Sequence, residues 1–491
     1  MKIPKLSKTR FLAGLQCHLR LWYECYNRDL MSETDPVQQT MFDTGHEVGR
    51  LATELYPGGV RIEEDHFHHE DAVRSTLEVL KNRDAPAIYE AAFLEDGVRI
   101  RVDVLQRVND NAWNLIEVKS STKVKTEHVP DVAVQYHVLQ RAGLSVSLAG
   151  IMHINNQYVY DGRNLDRNSF LTFSDQTEEA LSQQGVIPSQ LAVLKDMLAK
   201  NEPPGIIPSP HCKKPYLCSF WEHCTQAMPE YWVVNEKGVS AKIQEELRAM
   251  GVEDIREIPA DFPLTPKLQL RRNCVVNQKE YIAPELGGKL MKVEHPIHFL
   301  DFETMGPAIP RYAGTRPYQT VPFQWSNHIM HENGNIEHQE YLCLEDKDPR
   351  EEFTETLLKT LGEKGSIVVY TTYEKGVLEG LAEHLPHYSD RLLAVIGRLY
   401  DLHVVVKNYY YHPEFHGSFS LKAVLPAVVP EMQYDDMEIQ EGQMASLQYL
   451  RMIDPATTSE EKEKIKRDLL EYCAQDTFAM VRIREELLKR V

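Results

Sequence analysis

The sequence predicts a mixed α/β protein built from two or three domains. Its 491 residues are more than one ordinary domain contains. Residues 88–120 show the pattern of a strand meander, and from about residue 291 strands alternate with helices. The composition, 42% hydrophobic and 26% charged, is typical of a soluble globular chain rather than a disordered one.

The sequence carries no signal for membrane insertion or export. No stretch of about 18 apolar residues is present, and the N-terminal apolar run is too short for a signal peptide. We therefore expect a cytoplasmic protein. The net charge of −19 argues against sequence-blind coating of nucleic acid, which needs many basic contacts. It allows a nuclease, because bound metal ions neutralise catalytic carboxylates.

Residues 1–230 are predicted to form the first domain. A helix is expected over residues 38–55, and Asp96-Gly97 predicts a two-residue hairpin turn between two strands. The expected strands are 88–95, 98–108, 112–120 and 147–154, and the later helices are 130–142 and 188–200.

Two of these strands carry Asp103 and Glu117, with Lys119 two residues after Glu117. Residues two apart in a strand point to one face, so Glu117 and Lys119 project together. Asp103 lies on the neighbouring strand and can face them. Two carboxylates can bind a hard cation such as Mg²⁺ or Mn²⁺, and a lysine beside them can balance charge as a phosphodiester is attacked. Solvated acids on an exposed sheet face are the alternative.

This order of strands, acids and lysine resembles the core of the PD-(D/E)XK nucleases. It resembles most the RecB-like branch, which includes CRISPR-associated and AddB-like exonucleases. The resemblance implies a restriction-endonuclease-like fold, with His46 on an early helix and Glu90 on the first core strand as further metal-site residues. It also implies a catalytic role for Gln135, on the helix after Glu-x-Lys. Leu139 stands where that branch has a tyrosine, a departure that concerns contacts to the nucleic-acid backbone.

Three of the eight cysteines, Cys212, Cys218 and Cys224, lie close together in the sequence. In a reducing cytosol such clustering points to metal rather than to disulfides. Some members of the RecB-like branch hold a 4Fe–4S cluster with three cysteines after the core and one near the N-terminus, where Cys17 stands. The resemblance thus implies an iron–sulfur cluster that staples the two ends of the domain. Zinc on the same thiolates, and Cys25 in place of Cys17, are alternatives.

Residues 231–290 are predicted to form a small helical linker. Residues 241–250 have a helical pattern that Gly251 ends, and residues 252–258 could begin a second short helix. This pattern is compatible with a helix-hairpin-helix unit and equally with a plain helical connection.

Residues 291–491 are predicted to form the third domain, a sheet with helices between its strands. The expected strands are 298–302, 323–330 and 367–371. The expected helices are 350–361, 373–385, 391–406 and 459–489, the last being one long helix or two consecutive ones.

Asp301 and Glu303 lie two residues apart on an apolar strand, so both carboxylates can face one cation. Tyr472 and Asp476 lie four residues apart on a helix and share a face. These pairs resemble the first and third motifs of DnaQ-like, DEDD-type 3′–5′ exonucleases of the tyrosine subclass, which have an RNase H-like fold. The resemblance implies two Mg²⁺ or Mn²⁺ ions held by the acids, and Tyr472 as the residue that orients the attacking water. Chance strand-end acids are the alternative.

The middle motif of that family supplies another acid a few residues after a strand. Glu374 stands at that place instead of an aspartate, so Glu374 is the expected second acid. Asp401 is the alternative, although its position better matches a structural aspartate of the family. Lys422 lies in a segment similar to the one that closes over the nucleic-acid strand and is the candidate phosphate contact, with an ordinary surface lysine as the alternative.

Together the two resemblances predict a fusion of a RecB-like nuclease domain with a DnaQ-like exonuclease domain. The expected partner is nucleic acid, DNA in preference to RNA, single-stranded or with free ends. The sequence has no helicase motif, so an unwinding partner would be another chain. The competing hypothesis is a nucleic-acid-binding or assembly module with one active nuclease site or none.

Overall fold

The computed structural model describes residues 4–434 and 437–491. The chain divides into two compact units. Unit 1 comprises Met1–Ala227 with Pro307–Tyr318, and unit 2 comprises Met228–Gly306 with Gln319–Val491. Each unit has a main sheet accompanied by helices, so the predicted mixed α/β class is confirmed. Within the described residues, no helix is both long and apolar enough to cross a membrane.

Unit 1 contains nine helices and seven strands among its described residues. The helices are α1 (Lys8–Gln16), α2 (His18–Tyr26), α3 (Pro36–Thr53), α4 (His69–Lys81), α5 (His128–Arg141), α6 (Arg167–Phe170), α7 (Thr177–Ser182), α8 (Ile187–Leu198) and α9 (Trp221–Thr225). The strands are β1 (Leu6–Ser7), β2 (Val60–Arg61), β3 (Ala87–Glu95), β4 (Val98–Arg107), β5 (Ala112–Lys119), β6 (Ser145–Ile154) and β7 (Leu171–Asp175).

The sheet of unit 1 has the order β2-β3-β4-β5-β6-β7, and β1 pairs in parallel with the start of β4. Strands β3, β4 and β5 form the predicted antiparallel meander, and β6 lies parallel to β5. Asp96 and Gly97 have φ values of 49° and 73°, as a two-residue turn that follows the twist of the strands requires. This turn sets the register of β3 against β4. The register of β4 against β5, in which Asp103 and Glu117 meet, begins at the next connection, where Val108 N and Asn109 N donate to Ala112 O.

Helix α5 is buried along most of its length and lies in the core of unit 1. Leu139, at the position where the RecB-like branch has a tyrosine, is fully buried in this core. It therefore has no surface to offer a ligand. The segment Pro307–Tyr318 joins the same unit through backbone hydrogen bonds, including Tyr160 N to Thr315 O at 3.0 Å.

Unit 2 is built on a five-stranded sheet and a two-stranded ribbon. Its helices are α10 (Ala241–Ala249), α11 (Pro266–Asn277), α12 (Leu286–Leu290), α13 (Arg350–Leu361), α14 (Tyr373–His384), α15 (Ser389–Ile396), α16 (Leu402–Tyr409), α17 (Leu421–Val428), α18 (Gly442–Met452) and α19 (Ser459–Lys489). Its strands are β8 (Tyr281–Ile282), β9 (Ile297–Met305), β10 (Val321–Met330), β11 (Ile336–Leu342), β12 (Ile367–Val369), β13 (Leu399–Asp401) and β14 (Tyr410–Tyr411).

The larger sheet of unit 2 has the order β11-β10-β9-β12-β13. Strand β10 is antiparallel to both of its neighbours, whereas β9, β12 and β13 run parallel to one another. The register of β10 shifts between Pro322 and Gln324, opposite the end of β9 that carries Glu303. Such bulges re-aim side chains at the edge of a functional site.

Near this sheet one predicted helix was wrong, and one strand was not predicted. Residues 391–406 were expected to form one helix, but α15 ends before Gly397 and β13 separates it from α16. The physical reason is Asp401, whose carboxylate accepts a hydrogen bond from Val404 N at 3.0 Å and starts α16 afresh. Strand β11 was missed because its residues are exposed or half-exposed, which leaves no apolar alternation to detect.

The segment 228–290 packs into unit 2. Its helix α10 is close to the predicted one, but residues 255–257 form only a short 3₁₀ turn before α11. Strand β8 pairs with β14, and the Arg271 guanidinium donates to Glu236 Oε1 at 2.9 Å. These contacts make the segment a part of the wall of unit 2.

Candidate carboxylate sites and a cysteine cavity

The first candidate site lies in unit 2, where three separate elements bring acidic side chains together. Asp301 and Glu303 stand two residues apart on β9, the central strand of the sheet. Glu374 lies in the first turn of α14, shortly after β12, and Asp476 lies on α19. Burial is nearly complete for Glu303, Glu374 and Asp476. The structure therefore gathers the four acids that the sequence separates by up to 175 residues. We call them the unit 2 carboxylate cluster.

The ligand atoms of this cluster lie close enough to share a cation. Oxygens of Asp301 and Glu303 and the Cys473 sulfur all lie within 4.8 Å of one another. The Glu374 carboxyl hydrogen-bonds to Asp301, and its Oε2 is buried without a partner among the described residues. A buried carboxylate oxygen without a partner is costly in an apolar interior, and a bound cation would satisfy it.

The charges in the cluster repel one another strongly. Burial, and after it the charge of Asp476, raises the pKa of both Asp301 and Glu303 well above their ordinary values. Burial raises the pKa of Glu374 to about 7 and that of Asp476 to about 6. Without a bound cation, the cluster therefore retains protons near neutral pH. Cation binding would release those protons.

Cys473 was not predicted as a site residue. It lies beside Tyr472 on α19 and its thiol donates to Asp301 Oδ2 over 3.6 Å. Burial, and after it the charge of Asp301, raises the pKa of this thiol well above its ordinary value. In the absence of a cation the thiol therefore stays protonated and donates its hydrogen bond to the Asp301 carboxylate.

Two tyrosines and one lysine surround Asp476. Tyr472 hydrogen-bonds to Asp476, and Tyr434, which the sequence reasoning missed, donates to Asp476 Oδ1. The Lys422 ammonium lies 5.4 Å from the ring centroid of Tyr472 and 5.5 Å from that of Tyr434. Its charge partly offsets the raised pKa values of Glu303 and Asp476. Lys422 thus places a positively charged side chain next to the acids of the cluster.

Asp401, the alternative second acid, is engaged elsewhere. Its carboxylate caps α16 through Val404 N, as described above, whereas the Glu374 carboxyl hydrogen-bonds to Asp301. The geometry favours Glu374 as the acid that joins Asp301.

A groove of about 810 Å³ opens beside Asp301 and Asp476. It is lined mainly by basic, hydroxyl and aromatic side chains. The lining includes Lys237, Thr265, Lys267, Arg271, His403, Lys407, Phe419 and Lys422.

The second candidate site lies in unit 1, at the predicted Asp, Glu-x-Lys motif. The Lys119 ammonium contacts Glu117 Oε1 at 2.7 Å, and Gln135 Nε2 donates to Glu117 Oε2 at 2.7 Å. Asp103 Oδ2 accepts from Val118 N at 2.7 Å, which ties the acid of β4 to the neighbouring strand β5. Four of the predicted residues of this site are therefore brought together, as the strand register requires.

Two further charged residues, Lys8 and Asp131, belong to this site and were not predicted. The Lys8 ammonium lies 2.8 Å from both Glu117 oxygens and 3.4 Å from Asp131 Oδ1. Asp131 also contacts Lys119 at 2.7 Å. No sequence pattern connects Lys8 on α1 to a motif more than 100 residues later. The structure thus places two lysines among three acids, and we call this set the unit 1 lysine–acid site.

Electrostatic pairing dominates the unit 1 lysine–acid site. Burial raises the pKa of Glu117, but the charges of Lys119 and Lys8 outweigh it and lower that pKa well below the ordinary value. Burial, and after it the charge of Glu117, raises the pKa of Asp103 to about 7. Glu117 is thus held ionised by its lysines, unlike the acids of unit 2.

Of the two residues suggested by the resemblance alone, Glu90 lies across from Asp103 in the register of β3 and β4, but its carboxylate is paired with another residue. His46 is exposed on α3, and the Glu90 carboxylate accepts from Arg101 Nε at 3.1 Å. Glu90 has a φ of 57°, so its backbone departs from the regular strand at that residue. These two residues, suggested by the resemblance alone, do not contact the Glu117–Lys119 pair within the described structure.

The four predicted cluster cysteines line one cavity in unit 1. Cys17 follows directly after α1, and the other three come from the segment around α9. Cys25 is not in the lining of this cavity, and the charges that act on it are those of Arg10 and Glu24. The structure thus favours Cys17 over Cys25. We call Cys17, Cys212, Cys218 and Cys224 the cysteine cluster.

The sequence was also compared with known families and proteins. Residues 298–420 match a family described as a domain of unknown function, DUF2779. The matched segment contains Asp301, Glu303 and Glu374 and ends before α17 and α19. A search of curated proteins and a search of solved structures returned no match. The chain is similar to that family over this segment of unit 2.

Proposed function

We propose that unit 2 hydrolyses phosphodiester bonds of nucleic acid as a divalent-metal-dependent 3′–5′ exonuclease of the DnaQ-like DEDD type. The observation that carries this proposal is the unit 2 carboxylate cluster, in which four acids from β9, α14 and α19 converge, three of them buried and Asp301 half-buried. Gathering four acids in such a place is unfavourable unless a ligand compensates for their charge. The order of the five-stranded sheet is compatible with the RNase H-like class and supports the same assignment.

The residues present fit two hard divalent cations. Carboxylate oxygens are the ligands that Mg²⁺ and Mn²⁺ prefer, and Glu374 Oε2 is available because it lacks a partner among the described residues. The ions would be held by Asp301, Glu303, Glu374 and Asp476. When bound, they would stabilise the charge that develops on the attacking and leaving oxygens.

The side chains around the acids have separate tasks in this proposal. The Tyr472 hydroxyl, which hydrogen-bonds to Asp476, orients the attacking water. The Lys422 ammonium offsets part of the charge of a phosphate next to Glu303 and Asp476. Cys473 and Tyr434 each donate to one carboxylate and fix its orientation.

A second nuclease centre in unit 1, of the PD-(D/E)XK type, is proposed on the contacts among Glu117, Lys119 and Gln135. Lys8 bears on this proposal, because its ammonium contacts both Glu117 oxygens. A metal ion at Glu117 would have to compete with that lysine. The competing reading, a unit 1 that only grips nucleic acid or assists assembly, is favoured by this contact.

The cysteine cluster is proposed to hold a 4Fe–4S cluster. Zinc bonded to four sulfurs at about 2.3 Å would place the sulfurs about 3.8 Å apart. Among the described residues, no three thiols lie within 4.8 Å of one another, since the one such group contains Asp301, Glu303 and Cys473. Four thiolates meet the ligand requirement of a 4Fe–4S cluster, and zinc on the same thiolates is the alternative. Such a cluster would staple the N-terminal helices to the C-terminal end of unit 1.

DNA is the preferred substrate, with RNA as the alternative, and the proposed location is the cytoplasm. An unwinding partner, if the substrate is duplex, would be a helicase on another chain.

The proposal is tested in the full chain with the unit 1 site silenced by Lys119→Ala. Wild-type unit 2 should then degrade single strands with Mg²⁺ or Mn²⁺ and stop with EDTA. Asp301→Asn, Glu303→Gln and Asp476→Asn should each remove nearly all activity, because each removes a metal ligand. Glu355→Gln, an exposed acid of α13, is the matched control and should change nothing. Equal activity in the Glu303→Gln and Glu355→Gln proteins would contradict the proposal.

A further inference from the structure

The groove beside the unit 2 carboxylate cluster collects positive charge from four separate segments. Lys237 precedes α10, Lys267 lies in α11, Lys407 lies in α16 and Lys422 lies in α17. The whole chain carries a net charge of −19, so an accumulation of lysines in one groove stands out against an acidic background.

Three of these lysines form no ion pair within residues 4–434 and 437–491, where no carboxylate lies within 4.0 Å of the ammonium groups of Lys237, Lys267 or Lys407. The charge of Glu236 acts on Lys237 from farther away, and its carboxylate is bound to Arg271. Arg271 differs, because its guanidinium is bound to Glu236 at 2.9 Å and lies 5.3 Å from the Phe419 ring centroid. Arg271 therefore holds the groove wall together, and the three lysines are left for a ligand.

Two of the lysines act on one residue of the groove, His403. Burial lowers the pKa of His403; Asp401 opposes this effect, and the charges of Lys407 and Lys237 add to it. The ammonium groups from the segment before α10 and from α16 thus approach the same imidazole. Lys267 lies in the first turn of α11, where the helix dipole adds to its positive charge.

The segment that supplies Lys237 and Lys267 is fixed to the body of unit 2. Strand β8 of the segment pairs with β14, and the Arg271 guanidinium lies 5.7 Å from the Tyr411 ring centroid. Tyr231 stacks on His416 with 4.9 Å between ring centroids. Segment 228–290 is therefore a built wall of the groove and not a flexible connection.

Two of the three aromatic rings that line the groove are not exposed for stacking on bases, whereas the His403 imidazole is half-buried. Phe419 and Tyr370 are buried, and the Tyr370 hydroxyl donates to Phe419 O at 3.0 Å. The groove therefore offers charge to phosphates and little to bases, which predicts binding without sequence preference. Its volume of about 810 Å³ lies in the range of sites for single small ligands, so it has room for a few nucleotides of one strand.

We propose that this lysine-lined groove binds the sugar–phosphate backbone of a single nucleic-acid strand whose end lies at Asp301 and Asp476, with segment 228–290 as one wall. This inference rests on the proposed function of unit 2, because it takes the carboxylate cluster as the place where the strand ends.

The test measures binding separately from cleavage. The full chain is titrated, in EDTA, into fluorescein-labelled single strands of DNA and of RNA with the same sequence, and anisotropy is recorded at several salt concentrations. The groove variant combines Lys237→Ala, Lys267→Ala and Lys407→Ala. The control variant removes the same charge elsewhere in unit 2, through Lys242→Ala, Lys292→Ala and Lys359→Ala, which are all exposed and outside the groove lining. Thermal melts of both variants establish that they are folded.

We expect the groove variant to bind at least about 10-fold more weakly than the control variant near 0.1 M salt. Each lost contact to a single strand reduces the slope of log K against log salt by about 0.7, so three contacts reduce it by about 2. The strand that wild type binds more tightly, DNA or RNA, identifies the substrate class. Equal weakening in both variants, or tighter binding of a duplex that depends on the same lysines, would overturn the proposal. If binding depends on the groove lysines but no metal-dependent cleavage occurs, the proposed strand-binding groove is supported and the proposed exonuclease activity of unit 2 is refuted.

Discussion

Replacing Asp476 with asparagine removes one charge from the unit 2 carboxylate cluster while keeping its shape. Asparagine retains the oxygen that accepts from Tyr434. Burial raises the pKa of Asp476 from an ordinary 3.8 to about 6. One pKa unit corresponds to about 1.4 kcal/mol, so keeping this carboxylate ionised costs unit 2 about 3 kcal/mol of folding free energy.

The sign of the pH dependence follows from the raised pKa. Stability contributed by Asp476 is fully present below its unfolded pKa of about 3.8 and is lost as pH rises through about 6. At pH 8 in EDTA, Asp476→Asn should therefore be more stable than wild type by up to about 3 kcal/mol. This corresponds to roughly 6–12 °C in Tm for a domain of this size. At pH 5 the advantage should shrink to about half.

Manganese should reverse this order. Metal at 1,000 times its Kd stabilises the wild-type fold by about 4.1 kcal/mol, which exceeds the variant's advantage of about 3 kcal/mol, and the variant lacks one ligand. Scanning calorimetry in EDTA and in Mn²⁺, at pH 5 and pH 8, measures all four conditions. Asp390→Asn, an exposed acid of unit 2, is the control and should change stability by less than about 0.5 kcal/mol. The reasoning fails if Asp476→Asn is less stable than wild type at pH 8 in EDTA, or if Mn²⁺ stabilises both proteins equally.

Three further predictions concern unit 1. In an Asp301→Ala background, Lys119→Ala should abolish the remaining cleavage; unchanged gel-based cleavage would exclude Lys119 from a nuclease site. Lys8→Ala should lower the free energy of unfolding in EDTA by about 3 kcal/mol, because it leaves Glu117 with one lysine fewer. Excess Mn²⁺ should restore part of this loss. A Tm that neither falls nor responds to Mn²⁺ would count against the pairing of Lys8 with Glu117. Anaerobically purified protein should be brown with about four irons per chain, and Cys17→Ser should bleach it while Cys25→Ser does not; a colourless protein with stoichiometric zinc would overturn the iron assignment.

The parts of the fold that sequence could predict are those set by neighbouring residues. The meander could be predicted from the Asp96-Gly97 turn and from the alternation of apolar and polar residues. The register between β4 and β5 brings Asp103 to Glu117 and Lys119. The period of two on β9 likewise placed Asp301 and Glu303 on one face. These features depend on local backbone geometry, which a single sequence records.

The residues that sequence reasoning missed reach their sites through tertiary packing. Lys8 comes to Glu117 across 109 residues, and Tyr434 comes to Asp476 across 42 residues. Neither forms a spacing pattern with its partner. The lysine groove was hidden for the same reason, because its walls come from segments that only the folded unit 2 brings together.

The most direct test of the central claim follows a 5′-labelled single strand through the reaction. With Mn²⁺ and the Lys119→Ala chain, the account predicts stepwise shortening from the 3′ end and release of 5′ mononucleotides. Asp301→Asn in the same chain should leave the strand intact, as should a blocked 3′ end with the active protein. A ladder that forms equally from the blocked strand, or one that persists in the Asp301→Asn protein, would contradict the assignment of the unit 2 carboxylate cluster as a 3′–5′ exonuclease site.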